Sequence, residues 1–260
     1  MNTWKRRTAP AWIALGVLIL LVAVSTDAWA QAPAVDPAAV QTLKRMTDYL
    51  DGLKQFSVTA QIVVEEMHVS GHRVDYDMSA TTTVKRPNKM RAERTGELSN
   101  QRFYYDGKTM TAFNPDKKVY ATEKAPDTIE KVITFARETA GVLLPAADLI
   151  YRNAFPLMTQ DLTQATVVGK AVVGGVRCDH LLFSRPDVDF QVWVSEGKQP
   201  FPRKYVVTET ATPEKLAITA FLNKWNLATA VDDAQFKFVP PTGAQAITFS
   251  ELEKTRGTNR

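Results

Sequence analysis

The chain has 260 residues, with 32 lysines and arginines against 28 aspartates and glutamates, for a net charge of +4 at pH 7. Lys5, Arg6 and Arg7 supply three of those cations within the first ten residues, so the excess belongs largely to the N-terminus and makes no case for nucleic-acid binding. The single cysteine, Cys178, excludes an intrachain disulfide and leaves stability to the core.

The basic start precedes a continuous apolar run from Ala11 to Val24 and then Ala28-Trp29-Ala30. This order reads as a secretory signal peptide over 1–30, too short in its apolar part to span a bilayer as a helix. A single domain over 31–260, exported to the periplasm and soluble after cleavage, is the expectation. Cys178 is far from the cleavage site, so no lipid anchor is expected there.

Asp36-Pro37 opens a helix, with the carboxylate positioned to cap free N–H groups and proline suited to the first turn. Val40, Leu43, Met46, Leu50 and Leu53 follow at helical spacing and Gly52 ends the run. From Phe56 the period changes to two. Phe56, Val58, Ala60, Ile62 and Val64 alternate with polar positions, as in a strand with one dry face. After the Ser70-Gly71 turn, Val74, Tyr76, Met78, Ala80 and Val84 repeat the pattern, and Pro87-Asn88 breaks it. Short strands are predicted near 89–95, 101–105, 109–113 and 118–123, with hairpin chemistry at Asp106-Gly107.

A helical insertion interrupts this meander. Asp127 and Glu130 have capping-box spacing, Ile129, Val132, Ile133, Ala136 and Ala140 share a face, and Gly141 is a stop. Pro145 begins a second predicted helix through about Ala154, before Pro156. Strands resume near 165–173, 176–184, 189–195, 204–210 and 216–225, with a short one at 235–239. The fold class is mainly β: one curved antiparallel sheet of about eleven strands. Twist curls so large a sheet, and a few short helices cover it only if they sit on the concave face of an open half-barrel.

Val84-Lys85-Arg86-Pro87-Asn88, Tyr105-Asp106-Gly107-Lys108-Thr109 through Asn114-Pro115, and Phe236-Lys237-Phe238-Val239-Pro240-Pro241-Thr242-Gly243 resemble, in order and spacing, the LolA/LolB-like superfamily of periplasmic lipoprotein carriers. Phe190-Gln191-Val192-Trp193 and Phe201-Pro202-Arg203-Lys204 look more like the predicted periplasmic family of domain of unknown function 2092. The resemblance implies a helical lid over a hydrophobic cavity that holds acyl chains without chemistry. It also implies that Arg86 holds the lid closed. Counting by twos along the second strand independently puts Arg86 on the dry face, where a guanidinium needs carboxylate or carbonyl partners. The next strand departs from the family pattern, carrying Met90, Ala92 and Arg94 where bulky apolar residues stand. An anionic-headed lipid is therefore as plausible a cargo as a lipoprotein.

Candidate ligand-binding residues are Ile62, Val64, Tyr76, Met78, Arg86 and Met90 on the sheet, with Ile129, Ile133 and Phe135 on the lid. Methionine suits a carrier because its thioether adapts to irregular guests. For the apolar residues among them ordinary core is the commoner use, and for Arg86 the alternative is a strand-end arginine snorkelling to water. Catalysis is not indicated: His68 and His72 flank a charged hairpin at no zinc spacing, and Cys178 and His180 lack an orienting third group. No metal or cofactor is expected. The expected partner is a lipid or acylated ligand of a monomeric carrier, and the alternative is an envelope sensor that docks a membrane protein.

Overall fold

The computed structural model describes residues 34–98, 100–140, 146–228 and 231–254. The expected leader over 1–30 lies outside them, as do Gly141 and the predicted helix start at Pro145. Helix α1 spans Pro37–Gly52, and Asp36 caps it by accepting a hydrogen bond from the Ala38 N–H at 2.8 Å. Leu43, Met46 and Leu50 face the core at the predicted spacing, joined by Ala39.

Strands β1 (Gln55–Met67), β2 (Arg73–Lys85), β3 (Lys89–Gly96), β4 (Gln101–Tyr105), β5 (Thr109–Asn114) and β6 (Val119–Lys124) form an antiparallel meander. A second meander follows the helical insertion, with β7 (Gln164–Val173), β8 (Val176–Arg185), β9 (Val188–Ser195), β10 (Pro202–Glu209) and β11 (Ala217–Asn226). Pairing of β1 with β11 joins the two, from Ser57–Asn226 to Val64–Ile218, with a one-residue register shift between Thr59 and Ala60. With β12 (Gln245–Ala246) added in parallel to β6, the result is one curved, twelve-stranded sheet that does not close into a barrel. That is the expected open half-barrel, with one more strand than predicted.

Alternation assigns the two faces. Phe56, Ile62, Val64, Met78, Val84, Met90, Phe103, Tyr105, Met110, Leu181, Phe183, Phe190 and Val192 point to one side and form the main core with α1 and the inserted helices. Cys178, Trp193 and Val206 form a small separate cluster on the other.

The insertion differs from expectation. Helix α2 spans Ile129–Ala140, but Thr128 rather than Asp127 caps it, its Oγ1 accepting from the Lys131 N–H at 3.3 Å. Asp127 instead pairs with Lys131 one turn on, at 2.9 Å. The predicted helix ending near Ala154 is replaced by a 3-10 turn over Ala147–Leu149 and a short helix, α3, over Ala154–Thr159. Pro156 lies inside α3. It is tolerated because it sits in the first turn, where N–H groups lack intrahelical acceptors.

The strand predicted at 235–239 is also absent. Asp233–Phe236 is a 3-10 turn, and Phe238 packs on Tyr104, Phe113 and Tyr120 with ring centroids 5.0–5.4 Å apart. This segment lies on the sheet face away from the main core. The chain then pairs as β12 with β6 and enters α4 (Phe249–Lys254), whose Phe249 and Leu252 join the main core.

Candidate functional site

The helices over the sheet are tied down by one buried cation. Arg86 follows β2 directly, and its side chain is only 3% exposed. Its Nε donates to the Leu53 carbonyl at 3.2 Å, its Nη2 donates to the Ile150 carbonyl at 2.7 Å, and its Nη1 lies 3.6 Å from the Glu130 carboxylate. The guanidinium also faces the Phe56 ring at 6.0 Å. Arg86 thus touches the end of α1, the first turn of α2 and the residue after the 3-10 turn. These are the carbonyl and carboxylate partners that its dry-face position demands. Burial lowers its pKa, while Glu130 and Asp51 act in the opposite sense. Glu130 is shared, because it also accepts the Arg152 N–H at 2.9 Å.

Most of the other predicted residues lie in packed interior. Ile62, Val64, Met78, Met90, Ile129 and Ile133 belong to the main core, and Tyr76 is half-buried near the outer end of β2. Residues of α2 and of the sheet are therefore brought together, with Ile129 and Ile133 fully buried in the same cluster as Met90. Phe135 is the exception. It is half-buried and lines an outward groove of ≈ 770 Å³ with Pro126, Thr134, Arg152, Pro156 and Leu157.

Arg94 has the predicted inward parity but does not stand alone, since its Nη2 donates to Gln101 Oε1 at 3.2 Å. The His68–His72 hairpin is exposed and closed by Ser70, whose hydroxyl lies 2.8 and 3.1 Å from the two Nδ1 atoms. His180 stacks on Trp193 at 4.0 Å, and Cys178 is buried with its thiol pKa raised by desolvation. Among the described residues, no three His, Cys, Asp or Glu side chains are grouped to hold a metal ion.

Sequence reasoning did not identify the walls of the other cavity. It measures ≈ 300 Å³ and lies between the inserted helices and β8–β10. Leu157 and Met158 of α3 and Tyr151 form one side, and Val188, Phe190, Tyr205 and Val207 form the other. Arg137 and Asp148, paired at 3.4 Å, stand in the wall together with Arg185. The sequence carried one usable signal, the inward parity of Phe190, Tyr205 and Val207. Where the helices leave space depends on the break between the 3-10 turn and α3, which the periodicity missed.

A curved open sheet with helices covering its apolar face and a cavity between them defines an open half-barrel. The chain belongs to the family of domain of unknown function 2092, described as a predicted periplasmic protein, whose model matches residues 39–250. Solved structures are similar only at low identity. LprF from Mycobacterium bovis is 13% identical, with TM-score 0.48 over 82% of this chain and all of that one. MucB of Pseudomonas aeruginosa, solved in complex with MucA, is 12% identical, with TM-score 0.44 over 78% of this chain and 61% of that one. A LolA superfamily protein from Nitrosomonas europaea is 12% identical, with TM-score 0.40 over 77% of this chain and 97% of that one. No functionally curated protein matches the sequence. Among the described residues, no helix is long and apolar enough to cross a membrane.

Proposed function

We propose that this protein is a periplasmic carrier that shelters a hydrophobic or lipid-linked ligand beneath movable helices, without catalysis. The observation that carries the reading is the ≈ 300 Å³ cavity between α3 and the apolar face of β9 and β10. Burying a dozen methylenes there would contribute roughly 10 kcal/mol before ordering costs, enough for tight holding without a fixed geometry. In this reading the present arrangement is the closed form. Ile129 and Ile133 of the lid fill the trough above Met90, and Arg86 latches it. Displacing α2 would uncover Ile62, Val64, Met78 and Met90 and enlarge the cavity for a larger guest. The signal peptide and single-domain organisation belong to the same proposal, with the mature chain acting as a monomer.

Native mass spectrometry of the protein purified from its own envelope tests this. A co-purifying lipid or acylated species is expected. A bare chain in a stable complex with another envelope protein would overturn the carrier reading. That result would favour the sensor alternative, to which the outward groove beside Phe135 and the 49% exposed Leu157 lend themselves.

A further inference from the structure

The charge in the ≈ 300 Å³ cavity is more than its apolar wall requires. Two arginines reach it. Arg137 is neutralised by Asp148 at 3.4 Å. Arg185, the last residue of β8, forms no ion pair with any described residue. Its Nη1 reaches the Leu157 carbonyl at 3.4 Å, and its buried Nε has no hydrogen-bond partner. A guanidinium presents five donors in a fixed plane, so most of the recognition capacity of Arg185 is unused.

Tyr205 lines the same cavity, and its hydroxyl forms no hydrogen bond with another described residue. Burial pushes its pKa well above the ordinary value, with Asp148 acting in the same sense, so the phenol remains a donor. Arg185 and Tyr205 therefore line one cavity, close enough for the guanidinium to act electrostatically on the phenol, where Met158, Phe190 and Val207 supply apolar wall. The carboxylate in the wall, Asp148, is already occupied by Arg137, and the neutral side chains of Gln160 and Tyr151 complete the polar lining.

The geometry points to a single-chain amphiphile with an anionic head as the guest of this cavity, the head on Arg185 and Tyr205 and the chain along Met158, Phe190 and Val207. The cavity is at the low end of the about 300–1,000 Å³ that ligand sites span, which suits one short chain and not a multi-chain anchor. The inference rests on the carrier reading and adds the headgroup to it. A carboxylate or a phosphate head would satisfy the same donors.

Calorimetric titration of the protein with dodecanoate, dodecyl phosphate, dodecanol and dodecyltrimethylammonium separates the possibilities, because the tail is constant. One or both anions should bind about tenfold or more tightly than the alcohol, the size expected of a hydrogen bond to a charged group, and the cation should bind most weakly. The stronger of the two anions identifies the head. Arg185→Met should bring the anions down to the affinity of the alcohol, and Arg185→Lys should retain part of the difference. Equal binding of anions and alcohol would overturn this inference and leave the carrier reading standing, whereas no binding by any of the four would overturn both. Should Arg185→Met fail to fold, the wild-type series and Arg185→Lys still decide.

Discussion

Replacing Arg86 with leucine would leave the Leu53 and Ile150 carbonyls without their donor and Glu130 without its cation. Those losses should cost about 2 kcal/mol, since Glu130 is partly exposed and keeps the Arg152 N–H. Hydrogen exchange should quicken in α2 and over 147–150 more than in the middle of α1. Unchanged exchange in α2 would contradict a latch. The partnered, buried position of Arg86 was legible in the sequence because parity alone sends an arginine to the dry face, and chemistry then requires partners. Which carbonyls would answer was not legible, because Ile150 arrives from a turn with no periodicity. A second residue-scale test concerns Asp233, whose carboxylate hydrogen-bonds to Lys85 and Lys89 and is lowered from its ordinary 3.8 to about 2. A depressed carboxylate stabilises the fold above its unfolded pKa of about 3.9 and loses that effect as pH falls toward the folded value. Urea melts of wild type and Asp233→Asn should therefore differ at pH 7 and converge between about pH 4 and pH 2. A gap that widens on acidification would refute the pairing.

At the scale of the element, α2 is held by its packed face as well as by the contact of Glu130 with Arg86. Ile133 is fully buried in α2, so Ile133→Ala should destabilise by about 3 kcal/mol through lost burial and a residual cavity, measurable by urea denaturation. A change below about 1 kcal/mol would mean that the lid does not pack as described. The helical spacing of α1 and α2 and the alternation of most strands were readable because each has one dry face and enough length to show its period. Short elements escaped. In α3 the proline occupies a first-turn position that sequence alone takes for a terminator, and six residues are too few to outweigh it. At 235–239, the alternation of Phe236 and Phe238 imitates a strand. Instead, Phe236 is buried at a 3-10 turn and Phe238 inserts among Tyr104, Phe113 and Tyr120.

Across residues 34–254, the sheet is two meanders joined by the β1–β11 ladder, with the inserted helices between them in sequence. That arrangement follows from the number of strands and the scarcity of helix, so the half-barrel was legible before any side chain was placed. The cavity was not, because its position is a remainder: it is what α3 and the 3-10 turn fail to fill over β8–β10. Two adjacent residues of β10 report on the two faces. Val207 lines the cavity, and Val206 packs with Cys178 and Trp193 on the opposite side. A methyl NMR titration with dodecanoate therefore tests most directly whether a guest sits beneath the helices. A guest in the cavity should give saturable shifts at Val207, Val188 and the Met158 ε-methyl, with Val206 nearly still. Shifts centred on Val206, or no shift at Val207 while the ligand binds, would contradict it.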